Sequence, residues 1–160
     1  MSIKLMGALF MLALSSHAMA QDYRVITTVE SIVPAGLGRS RMLDHQQPED
    51  YRPLTTARTD GKKSDMGDIK REDVRIEKFE ETKLLNFYSL TGINFQNIAS
   101  NDAVVSSKLS DMSKEGWELV FVTSGVESDG GEKDSNGIFI TRYIFKRDAL
   151  PAEATALGSN

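Results

Sequence analysis

From Gln21 to Val33 the chain alternates. Tyr23, Val25, Thr27, Val29, Ser31 and Val33 fall on one side of an extended backbone, and Arg24, Ile26, Thr28, Glu30 and Ile32 on the other. Period-two alternation rich in Val, Ile, Thr and Tyr predicts a strand. Pro34 ends it, because proline cannot donate to a ladder. A second alternating run, Trp117 to Ser124, places Trp117, Leu119 and Phe121 on one face and Glu118, Val120 and Val122 on the other. A third, Ile138 to Arg147, places Phe139, Thr141, Tyr143 and Phe145 opposite Ile138, Ile140, Arg142, Ile144 and Lys146. The glycine-rich, acidic stretch Gly125 to Gly137 between these two reads as a hairpin loop.

The period changes before the hairpin. Val105, Leu109 and Met112 are spaced for one face of a helix, with Ser106, Ser107, Ser110, Asp111 and Ser113 on the other. Ser100-Asn101-Asp102 supplies capping residues at its start, and Gly116 the residue best able to close it in a left-handed conformation. The spacing predicts a helix over 102–115. Ile69 to Phe95 fits a helix loosely and two short strands equally well. From 34 to 68 large apolar residues are sparse, and three of the four prolines lie between 34 and 53. This stretch reads as a flexible insertion. The expectation is an α+β domain over 21–150, ordered β, long insertion, α, β, β. It has an antiparallel sheet of three or four strands and one packed helix, followed by a disordered tail over 151–160.

The first twenty residues belong to none of this. Lys4 precedes an apolar run from Leu5 to Leu14, and Ala18-Met19-Ala20 has the small-x-small form of a cleavage site before Gln21. Ten apolar residues are too few to span a bilayer, which takes about 20. The segment 1–20 reads as a signal peptide cut between Ala20 and Gln21. The mature chain is then expected in the periplasm or outside the cell, with no transmembrane anchor.

Composition narrows the chemistry. The 160 residues include 19 Lys+Arg, 23 Asp+Glu, two His and no Cys. No disulfide, thiolate nucleophile or cysteine metal site is available, and histidines are too few for a His-rich zinc centre. Loss of the leader takes Lys4 and His17, leaving His45 alone and a net charge of −5 in place of −4. Overall acidity and export both argue against nucleic acid as a partner. No motif calls for a cofactor.

Candidate sites are few. Trp117, at the start of a strand, suits either a ligand groove or a place in the core beneath the helix, and the helix-ending Gly116 beside it favours the core. Leu109, Met112, Leu119 and Phe145 are the expected apolar framework around it. Gly36-Leu37-Gly38-Arg39-Ser40-Arg41 offers glycines and two cations, Arg39 and Arg41, as a weak anion or partner site. His45, beside Asp44, is the only histidine left to act as a general base, but its stretch is a poor one for holding a catalytic group. The acidic loop Glu127 to Asp134 lacks the ligand register of a calcium loop and carries Lys133. No serine lies in a nucleophile elbow.

Lys114-Glu115-Gly116-Trp117-Glu118-Leu119-Val120, the preceding helix, the Tyr23-Arg24-Val25 strand and the closing Tyr143-Ile144-Phe145-Lys146-Arg147 together resemble a small bacterial domain of unknown function with an EGWELV core. Val29 to Pro34 and Gly92 to Phe95 are similar to blocks in uncharacterised secreted or periplasmic proteins of Bacteroidetes-type bacteria. The resemblance covers roughly half the mature chain. It implies a β-α-β-β fold and carries no catalytic or ligand-binding residue. The stretch 34–99 departs from it, being much longer than the link of the simple domain. The functional expectation is an exported, non-catalytic module that binds an envelope or extracellular protein, a peptide or a glycan. Self-association as a structural or accessory protein is the alternative, and a small hydrolase a remote third.

Overall fold

A computed structural model describes residues 20–32, 40–46, 49–127 and 137–149. Strand β1 (Gln21–Ser31) lies at the centre of a five-stranded antiparallel sheet. On one side it pairs with β2 (Arg41–Asp44), which pairs in turn with β5 (Glu80–Lys83). On the other side it pairs over its full length with β9 (Ile138–Asp148), and β9 pairs with β8 (Glu118–Glu127). The order across the sheet is β5-β2-β1-β9-β8. Two small ribbons, β3 (Arg58–Thr59) with β4 (Lys63–Ser64) and β6 (Tyr88–Ser89) with β7 (Gly92–Ile93), lie between β2 and the long helix in sequence. Among the described residues the helices are α1 (Arg71–Val74) and α2 (Phe95–Lys114), with 3₁₀ turns at Arg52–Leu54 and Asp65–Asp68.

The fold is α+β, but the expected sheet of three or four strands with one helix is wrong. Among the described residues the sheet has five strands, two ribbons accompany it, and there is a second, short helix. Two of the five strands come from segments whose sequence hides them. β2 has only four residues, inside the proline- and glycine-bearing stretch read as insertion. β5, Glu-Glu-Thr-Lys, is exposed throughout and shows no apolar alternation because it is an edge. The long helix starts at Phe95, seven residues earlier than the spacing predicts. Its cap is Asn94, whose side-chain oxygen accepts from the Asn97 amide at 3.1 Å. Gly116 does end it, with φ +83°.

Helix α2 lies on the face of the sheet that carries Arg24, Ile26, Thr28 and Glu30 from β1. Register places Met42 and Asp44 of β2 and Phe139, Thr141, Tyr143, Phe145 and Arg147 of β9 on the same face. Ile26, Met42, Leu84, Met112, Trp117 and Phe145 form the buried core there, with Val104, Leu109 and Tyr143 packed against it. The helix is also held by polar contacts. Asn101 is buried and donates to the Leu85 carbonyl at 2.7 Å and to Glu30 Oε1 at 2.8 Å, while its own oxygen accepts from the Leu85 amide at 2.8 Å. Asn97 donates to the Asn86 carbonyl, and Ser40 donates to the Asn86 side chain while receiving the Ser31 amide. Segment 84–87 is thus fastened between sheet and helix, as buried polar groups demand.

Candidate functional site

The two edges of the sheet are built differently. β5 is four residues long and entirely polar, with three charges, and Glu81 is engaged at 2.9 and 3.0 Å by Arg41 of the neighbouring strand. Short, charged edges resist pairing with another chain. β8, the opposite edge, runs for ten residues, all of them exposed. Its only charges are Glu118 and Glu127, at its two ends. Between them lie Leu119, Val120, Phe121, Val122 and Val126, with Phe121 60%, Val126 55% and Val122 46% exposed.

A break in register between Leu119 and Phe121 decides where these side chains point. Leu119 lies opposite Phe145, on the helix side, but Phe121 lies opposite Ile144, on the open side. Val120 is the extra residue of a bulge. The strict alternation expected for Trp117, Leu119 and Phe121 therefore fails. After the bulge Val122, Ser124 and Val126 face the helix side with Tyr143, Thr141 and Phe139, and Phe121, Thr123, Gly125 and Glu127 the open side. From Phe121 to Glu127 the strand is regular, and its outer row of amides and carbonyls has no strand partner among the described residues.

Near the far end of β8, Phe139 forms part of an apolar groove with Ile32, Phe87, Tyr88, Ile93 and Ile98, about 210 Å³ in volume. Phe87 and Phe139 meet with ring centroids 5.9 Å apart. Val126 is the cross-strand partner of Phe139, so the apolar side of β8 leads into this groove.

The sequence candidates fall elsewhere. Trp117 is 7% exposed and sits in the core. Arg147 lies 4.2 Å from its ring centroid and Arg24 5.9 Å, and its indole nitrogen is buried with no hydrogen-bond partner among the described residues. Met112 and Phe145 are buried and Leu109 packs against them, while Leu119 is exposed on β8. Arg41 is on β2 and pairs with Glu81. Arg39 lies outside the described residues, as do nearly all of the leader with Ala18, residues 128–134 of the acidic loop, and the tail. Ala20 is described: its carbonyl accepts from the Ala149 amide, and Gln21 begins β1.

His45 follows β2, and its Nε2 is buried without a partner among the described residues. It is not served by Asp44. That carboxylate is bound by Arg24 through two bonds, 3.0 and 2.6 Å, and by Lys108. Burial opposes the charge on Asp44 most strongly, but the hydrogen bonds and charges of Arg24 and Lys108 outweigh it and hold the carboxyl below its ordinary range. Glu30 goes the other way: burial raises it, the bond from Asn101 offsets only part, and Asp102 adds to the rise. Burial likewise pushes the Tyr143 phenol up, helped by Glu30 and Asp102. Both carboxylates serve as fixed acceptors between helix and sheet. Among the described residues no three His, Asp or Glu side chains are grouped to hold a metal, and no helix is long and apolar enough to cross a membrane.

The residues that sequence reasoning passed over are Phe121, Val122 and Val126. Their signal was present as a strand apolar on both faces, which reads as a central, doubly covered strand. No family model, curated protein or solved structure matches this chain.

Proposed function

We propose that the protein is a non-catalytic docking module whose ligand is an extended polypeptide segment, added as a sixth strand along β8. One observation carries this reading: a single sheet has one edge closed by charge and the other left ten residues long, rich in apolar side chains and without a strand partner among the described residues. Strand addition takes affinity from main-chain hydrogen bonds and selectivity from alternate side chains. Here Val122 and Val126 would receive the side chains on the helix side, beside the groove floored by Phe139 and Phe87. The EGWELV resemblance implies no activity that conflicts with this role. Export belongs to the same proposal, supported by the start of β1 at Gln21, immediately after the expected cut. N-terminal sequencing of the protein recovered from cells checks it, with Gln21 expected as the first residue.

The docking reading is tested by amide hydrogen exchange on the purified protein, with and without a cell-envelope extract. Amides on the outer row of Phe121–Glu127 are expected to exchange quickly in dilute protein and to become protected on addition of the partner. Uniform rapid exchange under both conditions, and at high protein concentration, would defeat it.

A further inference from the structure

We infer that the strand seated on β8 is the β8 of a second copy of this chain, antiparallel to the first about a two-fold axis at Ser124. The inference rests on the docking reading above and names its occupant. An axis normal to the sheet keeps like faces together, so a residue can mate only with one from the same face. Phe121, Thr123, Gly125 and Glu127 form one set and Val122, Ser124 and Val126 the other. Centring on Ser124 is the register that pairs all seven. Ser124 meets its own copy, Thr123 meets Gly125, Val122 meets Val126, and Phe121 meets Glu127. The bulge at Val120 lies just outside the paired run and leaves it undisturbed.

Charge fits this register. Glu127 of one copy arrives beside Phe121 of the other, on the open face. The β9 neighbour of Phe121 is Ile144, and Ile144 is flanked on that face by Arg142 and Lys146. Lys146 is held by Glu118 at 3.4 Å, whereas Arg142 and Glu127 make no ion pair with any described residue. The two-fold axis therefore sets Glu127 of each copy two strand spacings, about 10 Å, from β9 of the other, where its extended side chain and that of Arg142 can meet over the small Thr123 and Gly125. No like charges oppose each other in the seven-residue pairing. On the other face Val122 meets Val126 twice, once on each side of the central Ser124 pair, and each contact is backed by Tyr143 of one copy and Phe139 of the other. Cross-strand pairs of both kinds favour association.

Sedimentation velocity over a wide concentration range, with hydrogen exchange on the same samples, tests the inference. The wild-type protein is expected to form a closed dimer, with amides in Phe121–Glu127 protected as dimer forms. Arg142→Glu and Glu127→Arg should each weaken dimerisation by about tenfold, and the two together should restore it. Both side chains are exposed, and unchanged thermal unfolding of dilute protein checks that neither exchange disturbs the fold. A dimer indifferent to both exchanges, or larger open-ended species, overturns the inference. So does a monomer at every concentration. If that monomer gains protection at β8 only with envelope extract, the docking reading stands with a different occupant; if it gains none, both fail.

Discussion

Asp44 and Glu30 are two carboxylates a strand apart, under the same helix, with opposite electrostatics. Asp44 is bound by two cations and lowered; Glu30 is half-buried with an amide for its partner and raised. Their contributions to stability therefore have opposite pH dependence. The lowered Asp44 stabilises the fold above its unfolded pKa of about 3.9, and that contribution is lost as pH falls further, through the lower folded value. Asp44→Asn is expected to cost about 3 kcal/mol at neutral pH, because Arg24 and Lys108 lose a charged partner. Denaturant titrations should show the deficit shrinking as pH drops below about 4. For the raised Glu30, ionisation disfavours the fold, so stability declines as pH climbs from its unfolded pKa, about 4.3, through the higher folded value. Glu30→Gln keeps an oxygen for Asn101. It should raise the thermal midpoint at neutral pH and leave it unchanged in acid.

Helix α2 shows what governs the elements. From residue 102 to its end it is legible in the sequence, because Val105, Leu109 and Met112 obey the helical period and Gly116 closes the run. Its first two turns are not, because Phe95 to Asn101 is rich in Asn and Ser. Such residues in a sequence point to a loop or cap. Here Asn97 and Asn101 spend their side chains on the backbone of residues 85 and 86, a demand created only when that segment lies beside the helix. Asn101→Leu should therefore be strongly destabilising although it improves helix propensity. It strands the amide and carbonyl of Leu85 and the carboxylate of Glu30, at about 1–3 kcal/mol for each unsatisfied buried group. Denaturant unfolding gives the size of the loss. Hydrogen exchange should show 84–87 and the start of α2 loosening together, while the Met112 end stays protected.

At the scale of the whole molecule the sheet is lopsided. Helix α2 and the core cover the β2-β1-β9 side, and among the described residues β8 is left with apolar side chains above and below and an edge without a strand partner. Such an edge pairs with some strand or aggregates. Val122→Lys with Val126→Lys should remove strand addition and reduce aggregation, and should change the thermal stability of dilute, monomeric protein little, since both side chains are exposed already. Light scattering during heating and the β8 exchange pattern are the measurements. A large loss of stability in dilute protein would mean that these valines serve the fold, not a partner.

The sequence by itself determined what local physics controls: three strands from alternation and β-branched content, the helix from residue 102 onward from its period, its end from a glycine, and the exclusion of cysteine chemistry from composition. It also marked Met112, Trp117 and Phe145, whose spacing places them where a helix meets a sheet. Tertiary structure decided the rest. β2 and β5 are too short and, in β5, too polar to announce themselves; β2 exists as a strand because β1 offers it an edge, and β5 because β2 does. One extra residue at Val120 sends Phe121 to the opposite face, which no alternation rule foresees. Above all, the pattern of β8 is that of a strand covered on both sides. Only the position of the helix across the sheet shows that the described residues leave it exposed, because burial is a property of neighbours and not of the strand.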